Sequence, residues 1–165
     1  MSNSPKVLIM MGSDSDLPIM QEAADILVKF GVSHEIRISS AHRSPVRTMA
    51  LASEAAGRGV RIIIAGAGMA AHLAGVVAAK TLLPVIGVPM PGGALNGVDA
   101  LYSTVQMPGG IPVATMAIGK AGAKNAGIFA VQILALNDEH LTRELNDYRA
   151  AMDKDVEAKD AALQG

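Results

Sequence analysis

Residues 60–72 read VRIIIAGAGMAAH. From Val60 to Ala65 the run is mostly apolar and β-branched, as expected of a central parallel strand that is buried on both faces. The segment Gly66-Ala67-Gly68 predicts a turn, and an alanine-rich helix is predicted from there to about Thr81. A strand, a glycine turn and a helix in this order form the repeating unit of an open α/β sheet.

The same order continues on both sides of this stretch. Three further apolar runs predict strands at residues 6–11, 84–88 and 113–118, and alternating character predicts another strand at 33–38. Helices are predicted at residues 17–30, from Pro45 onward, and at 97–106 and 121–136. Pro18 suits the first turn of its helix, and Gly31 suits its C-terminal end. The alternation predicts an α/β protein with a parallel sheet and helices on both faces.

The C-terminal segment differs from the rest of the chain. After Asp138, apolar residues trace one stripe along a charged helix at Leu141, Leu145, Tyr148 and Met152. The helix is expected at about residues 138–160, as an addition to a single domain of residues 1–165 with its core at about 6–136. An amphipathic helix of this kind packs on its own domain or reaches a neighbouring subunit.

Composition limits the classes of function. Only 18% of the 165 residues are charged, against about 25% in soluble domains, so other copies of the chain are expected to cover part of the surface. A net charge of −1 offers no basic face for nucleic acid, and two Phe, two Tyr and no Trp provide few rings for base stacking. The absence of cysteine excludes disulfides, thiolate metal sites and cysteine nucleophiles.

One apolar stretch approaches the length of a membrane-spanning helix. Between Ile62 and Ala79 the only polar residue is His72. Three glycines and a β-branched start favour a strand, a turn and a helix over a span. Residues 1–6 lack the charged and apolar regions of a signal peptide. We therefore expect a cytoplasmic protein that does not contact membranes.

The loop after the first predicted strand reads Gly12-Ser13-Asp14-Ser15-Asp16. In doubly wound sheets, ligands bind beyond the carboxyl ends of the strands, where this loop and the loops after the next three strands would meet. Free N–H groups at a helix start, with serine hydroxyls, suit a phosphate. Serine and aspartate are also the preferred helix caps. Because two aspartates would repel a phosphate, one is a candidate for binding sugar hydroxyls.

The loop after the second predicted strand contains Ser40-Ala41-His42-Arg43. An imidazole beside a guanidinium combines a proton-transfer group with an anion-binding group. The neighbouring cation favours the neutral imidazole, which is the form a general base needs. The alternative is a loop histidine and an arginine that are both solvated.

The segment Gly66-Ala67-Gly68-Met69-Ala70-Ala71 matches the dinucleotide-binding pattern with alanine as its last member. That pattern requires an acidic residue about 20 positions later, where this chain has Val88-Pro89-Met90-Pro91. A dinucleotide cofactor is therefore not expected. His72, on the helix that follows, either faces the cleft or packs in the core or at a subunit contact.

Other catalytic patterns are missing from the sequence. No two histidines have the spacing of metal ligands, and His34 and His140 are expected to be structural or solvated. There is no P-loop with Lys-Ser/Thr and no Gly-x-Ser-x-Gly nucleophile.

Five segments in register resemble the N5-carboxyaminoimidazole ribonucleotide mutase family. They are residues 12–16, 39–45, 65–73, 97–103 and 105–113, and the resemblance covers about Lys6 to Leu136. It implies a three-layer flavodoxin-like fold, a homo-octamer with 422 symmetry, and active sites at subunit junctions. The implied reaction moves a carboxyl group from the exocyclic nitrogen of the ribonucleotide to ring carbon 4, without a metal, biotin or ATP, so no cofactor is expected.

The resemblance also implies roles for residues of the three loops. His42 would be the general acid–base, Ser13 and Arg43 would bind the phosphate, and Asp16 would bind the ribose. The 66–70 loop and His72 would help to close the pocket. Further substrate contacts would come from Ser15, Ser40, Gly68, Met69 and His72. The family often has glycine in place of Met69 and proline in place of Ala74, which leaves the shape of this loop open.

Two other functions remain as alternatives to the mutase. The nearer one is a carboxylase that adds carbon dioxide directly to aminoimidazole ribonucleotide, with similar proton chemistry. The other is a non-catalytic flavodoxin-like module, either flavin-binding or a signalling receiver. Few aromatic rings are available to stack on a flavin, and the third strand ends in Ala-Gly without the aspartate that a receiver phosphorylates.

Overall fold

The structure, a computed structural model, describes residues 4–164. Its strands are β1 (Val7–Met11), β2 (His34–Ile38), β3 (Ile62–Ala67), β4 (Val85–Pro89) and β5 (Ala114–Thr115). Its helices are α1 (Leu17–Lys29), α2 (Pro45–Glu54), α3 (Leu73–Ala78), α4 (Val98–Val105), α5 (Lys120–Ala135) and α6 (Glu139–Gln164). Among these residues, no helix is both long enough and apolar enough to cross a membrane.

The strands form one parallel sheet in the order β2-β1-β3-β4-β5. This is the flavodoxin-like order, in which the chain reverses direction across the sheet between β1 and β3. The predicted α/β fold class, with a parallel sheet of five strands, is confirmed. The reversal opens a crevice between the loops that follow β1 and β3, which is where such folds bind ligands.

The two central strands are buried on both faces. Every residue of β1 is fully buried, as are Ile62, Ile63 and Ile64 of β3. On one face, Leu8 and Ile63 belong to a cluster with residues of α2 and α3. On the other face, Met20 of α1 packs directly against Gly66. A Cβ atom added at Gly66 would lie 2.5 Å from the Met20 sulfur. The sheet therefore lies between two helical layers.

The predicted bounds of three elements are wrong. β3 continues through Gly66 and Ala67, which were expected in the turn, because both residues pair with β4. The helix expected to run from after Gly68 to about Thr81 is only six residues long and ends at Ala78. It starts at Leu73 and not after Gly68, because Met69 has a left-handed backbone that a right-handed helix does not accommodate. Beyond the helix, the Leu83 N–H donates to the Thr81 hydroxyl at 3.2 Å, which is a local turn bond in place of a helical one. β5 has only two residues, because it lies at the edge of the sheet and pairs with β4 alone among the described strands.

The chain divides into two compact units, with the division between Ala130 and Val131. The second unit contains the end of α5 and the 26-residue helix α6. The carboxylate of Asp138 accepts hydrogen bonds from the backbone of His140 and Leu141, at 3.0 and 3.2 Å, and so caps α6. The predicted C-terminal helix is present and extends beyond residue 160 to Gln164.

Candidate active site

An open cavity of about 540 Å³ lies at the carboxyl ends of the strands, between the loops that follow β1, β2, β3 and β4. Every site residue that the sequence pointed to lines it: Ser13, Ser15, Asp16, Ser40, His42, Arg43, Gly68, Met69 and His72. The volume lies within the range of small-molecule sites. Topology explains the convergence, because parallel strands deliver their following loops to one edge of the sheet.

The loop after β1 is organised by its own side chains. The Ser13 hydroxyl accepts hydrogen bonds from the backbone N–H and the hydroxyl of Ser15, at 3.3 and 3.0 Å, and donates to Asp14 at 3.1 Å. Ser13 thereby caps a single 3-10 turn, Asp14–Asp16, which leads into α1. The capping interpretation of this serine is confirmed.

Asp16 is a half-buried carboxylate in the cavity wall. Burial raises the pKa of the Asp16 carboxyl above its ordinary value of 3.8, hydrogen bonds from the Ser13 backbone and the Ser15 side chain oppose the shift, and the charge of Asp14 adds to it. A carboxylate in this position can accept hydrogen bonds from hydroxyl groups of a ligand.

The loop after β2 has a serine framework. The Ser44 hydroxyl accepts from the backbone N–H of Ser40 and donates to its carbonyl, both at 3.0 Å. The Ser40 hydroxyl accepts from the backbone N–H of Arg43 at 3.2 Å. At the base of the loop, the buried hydroxyls of Ser39 and Thr48 are 2.8 Å apart. These bonds fix the backbone that carries His42 and Arg43.

The side chains of His42 and Arg43 reach across to other loops. Nε2 of His42 lies 2.8 Å from Nδ1 of His72, and the two rings are nearly perpendicular. The Arg43 guanidinium donates to the carbonyl of Gly12 at 3.0 Å. That bond uses one of its five N–H donors. The loop after β2 therefore contacts both the loop after β1 and the loop after β3.

His72 lies at the start of α3, is exposed, and lines the cavity. The alternative of a histidine packed in the core is therefore wrong. The preceding residue, Ala71, donates its backbone N–H to the hydroxyl of Ser103 in α4 at 3.0 Å. Ser103 lies in a segment that carried the family resemblance, but no pattern in the sequence indicated that it supports this loop.

Met69 has a left-handed backbone, with φ of +55°, and its side chain is 64% exposed. Few residues other than glycine adopt this conformation, because the side chain crowds the following carbonyl. The loop shape left open by the sequence is therefore one that glycine would adopt without strain.

The loop after β4 completes the cavity wall with four residues outside the predicted set: Met90, Pro91, Gly92 and Gly93. Met90 is almost fully buried, and its side chain lies close to Gly66 near the end of β3 and to Gly68 in the loop after it. Topology indicated that this loop shares the same end of the sheet, but no polar side chain marked these residues as functional.

The arrangement brings together groups suited to a phosphorylated sugar and to proton transfer. A guanidinium and serine hydroxyls can bind an anion, and a carboxylate can accept from sugar hydroxyls. The imidazole of His42 can take and return a proton. Among residues 4–164, no three His, Asp or Glu side chains cluster closely enough to hold a metal ion.

Comparisons with known proteins agree on one family. The family model described as AIR carboxylase matches residues 6–155. Proteins named N5-carboxyaminoimidazole ribonucleotide mutase are similar along nearly the whole chain. The one from Escherichia coli K12 is 54% identical over 94% of this chain and 92% of its own, and the one from Bacillus subtilis is 57% identical over 88% and 90%.

Solved structures give the same result for the fold. The crystal structure of PurE from Treponema denticola superposes with a TM-score of 0.87 at 30% sequence identity. The match covers 98% of this chain and 99% of that one.

Proposed function

The chain belongs to the AIR carboxylase family and is a mutase of purine biosynthesis, and we propose that it catalyses the reaction with His42 as its general acid–base. The substrate is N5-carboxyaminoimidazole ribonucleotide, and the product is 4-carboxy-5-aminoimidazole ribonucleotide. The reaction is an isomerisation, because the carboxyl group moves from the exocyclic nitrogen to ring carbon 4 of the same molecule.

The proposed reaction has two steps. The bond between the exocyclic nitrogen and the carboxyl carbon breaks, carbon dioxide leaves, and the nitrogen takes a proton from protonated His42. Carbon 4 then attacks the carbon dioxide, and His42 takes the proton that carbon 4 loses. His42 begins and ends the cycle protonated, so no outside acid or base is consumed. General acid–base catalysis of this kind contributes about 10²- to 10⁴-fold in rate.

The binding roles follow from the chemistry of each group. Arg43 and Ser13 bind the phosphate, and four guanidinium N–H donors remain beyond the one that Gly12 accepts. Asp16 binds the ribose hydroxyls. Ser15 adds a hydroxyl at the phosphate end, while Ser40 acts mainly through its bond to the Arg43 backbone.

The loop after β3 closes the site. Gly68 and Met69 lie in the cavity wall, and closure over the reacting atoms would keep carbon dioxide in place and exclude water. No cofactor takes part in the proposed steps.

The observation that carries the mechanism is the placement of an imidazole, a guanidinium and a half-buried carboxylate around one cavity. Three neighbouring loops supply these groups, at the edge of the sheet where this fold binds ligands. The substrate assignment is further supported by relatives 53–57% identical that are named for this reaction.

A coupled assay tests the proposal. Freshly prepared N5-carboxyaminoimidazole ribonucleotide is supplied in one reaction, and aminoimidazole ribonucleotide with bicarbonate in a parallel one. Fast conversion of the carbamate alone is the expected result. Fast conversion of the free amine alone would identify a direct carboxylase instead, and activity with neither would remove the enzymatic proposal.

We also propose that the chain assembles as a homo-octamer in the cytoplasm. The described chain exposes large apolar side chains, including Leu82, Leu95, Tyr102 and Ile111, as expected of surfaces that other copies cover. Light scattering should give a mass well above 100 kDa, roughly eight chains of 16.9 kDa, and cell fractionation should recover the protein with the cytoplasmic fraction. A 17 kDa monomer would contradict the assembly.

A further inference from the structure

Two imidazoles form a hydrogen-bonded pair across the cavity wall. Nε2 of His42 and Nδ1 of His72 are 2.8 Å apart, with ring centroids 4.9 Å apart and an interplanar angle of 87°. The residues are 30 positions apart in sequence and come from different loops. In the described part of the chain, no other hydrogen bond and no ion pair engages either ring.

The chemistry of imidazole limits what such a pair can do. A neutral imidazole has one N–H donor and one acceptor nitrogen, so a bond between two ring nitrogens requires one nitrogen with a proton and one without. When both rings are protonated, both nitrogens are donors and the bond is lost. A pair that keeps this hydrogen bond therefore carries at most one positive charge, because at most one of the two rings is protonated.

The bond also fixes which nitrogen of His42 faces a ligand. Because Nε2 is engaged by His72, Nδ1 is the nitrogen left free to exchange a proton. Catalytic histidines are commonly oriented through their second nitrogen by a carboxylate or a backbone carbonyl. In this chain the orienting group is a second histidine.

The partner ring is held in place by its own surroundings. The backbone of His72 donates to Ala70 at 2.9 Å and accepts from Val76 at 3.0 Å, at the start of α3. Ala71 is tied to Ser103. The loop of His42 is fixed separately by the Ser40 and Ser44 bonds. Two independently supported loops therefore meet at this one hydrogen bond.

We propose that His72 is a positioning residue, which holds Nε2 of His42 through its own Nδ1 and leaves Nδ1 of His42 as the proton-transfer nitrogen. This inference rests on the proposed role of His42 in the mutase reaction. It differs from the substrate contact expected for His72, because its effect is on the rate of proton transfer rather than on substrate affinity.

Three substitutions of His72 separate positioning from other roles. His72→Phe keeps a ring but removes both nitrogens. His72→Asn places an amide at the position of Nδ1, where it can still hydrogen-bond to His42. His72→Gln places the amide one bond further along the side chain, where the ring has Nε2. His140→Asn, a substitution on α6 outside the cavity lining, is the control for loss of a histidine elsewhere.

The measurement is steady-state kinetics with the carbamate substrate, alongside thermal unfolding of each variant. We expect His72→Phe to lower kcat about tenfold with KM within about twofold, because one hydrogen bond to the catalytic ring is lost. His72→Asn should recover most of kcat, while His72→Gln should resemble His72→Phe. A crystal structure of His72→Phe should show the His42 ring in more than one orientation.

The outcomes distinguish this inference from the proposed function. If the wild-type protein does not convert the carbamate, the proposed function fails. If the wild-type protein is active and His72→Phe retains its kcat, the positioning role is wrong. A rise in KM at constant kcat would make His72 a substrate-binding residue instead, and equal activity of the Asn and Gln variants would also overturn the proposal.

Discussion

The loops after β1 and β2 follow adjacent strands and line the same cavity, but they are held in different ways. In the first loop, the Ser13 and Ser15 side chains bond to neighbours one or two positions away. In the second loop, the side chains of His42 and Arg43 bond to residues 30 and 31 positions away. The first loop is organised by local hydrogen bonds, whereas the reactive side chains of the second depend on tertiary contacts.

This difference predicts different roles for the two loops, one in substrate affinity and the other in turnover. A locally organised loop offers a fixed binding surface, so its changes should affect mainly substrate affinity. The His42 side chain reaches across to His72 and is the proposed reacting group, so its changes should affect mainly turnover, whereas Arg43 belongs with the phosphate-binding groups. The following predictions test this difference, from the largest expected effect to the smallest.

The largest effect is expected in the loop after β2. His42→Asn should lower kcat about 100-fold or more, because the amide cannot exchange a proton with the substrate. Folding and assembly should be unchanged, since His42 is exposed and outside the core. Turnover is measured in the carbamate assay, with circular dichroism and light scattering on the same sample. Wild-type-like turnover would show that His42 is not the proton-transfer residue. It would also contradict the proposed difference between the two loops.

An intermediate effect is expected in the loop after β1. Asp16→Asn should raise KM about tenfold while changing kcat less, because a hydrogen bond to the ribose is weakened. Asp25→Asn is the matched control, since Asp25 is an exposed aspartate of α1 that does not line the cavity. If Asp25→Asn raises KM equally, Asp16 has no specific role in binding.

The same Asp16 substitution should also raise stability at neutral pH. Burial raises the pKa of the Asp16 carboxyl, so its ionisation costs stability above its unfolded-state value of 3.8. Replacement by a neutral amide removes that cost. The gain should be fully present above the folded-state pKa and should disappear at a pH well below 3.8, where the carboxyl is protonated in both the folded and the unfolded chain. Urea unfolding at both pH values checks the sign, and a gain that persists at the lower pH would contradict it.

The smallest effect is expected in the loop after β3. Met69→Gly should raise the free energy of unfolding by up to about 1 kcal/mol. The left-handed backbone costs residues other than glycine about 1–2 kcal/mol, and glycine removes this strain. The greater entropy of glycine in the unfolded chain offsets part of the gain. Asn96→Gly, at a φ of +49°, is the control and should gain less, since asparagine tolerates this region. Equal gains at both positions, measured by urea unfolding, would show that Met69 is not specifically strained.

Much of the fold could be predicted from local pattern. Apolar runs gave the approximate positions of four strands, and alternating character gave that of β2. The segments between the strands gave those of α1, α2, α4 and α5, and an apolar stripe at helical spacing gave that of α6. The errors fall where neighbours override local preference. β3 is lengthened by pairing with β4, and β5 is shortened at the sheet edge.

The candidate site was predictable in its membership but not in its internal contacts. The polar residues of the first three loops stood out as short motifs after predicted strands, and those expected to act in the site line the cavity, whereas Asp14 does not. Ser103 and Met90 carried no such signal, because the roles of these two residues depend on the loops that pack against them. The same holds for the His42–His72 pair, whose members lie in separate motifs.

The sequence by itself determined the alternation of strands and helices and the loops that carry reactive groups, because these depend on periodicities that span only a few residues. Tertiary structure alone decided the strand order, which places the loops after β1 and β3 on either side of the crevice. It also decided the partners of His42 and Arg43, since each bond joins groups about 30 residues apart. Contacts at that separation form only when β1, β2 and β3 are paired in the sheet.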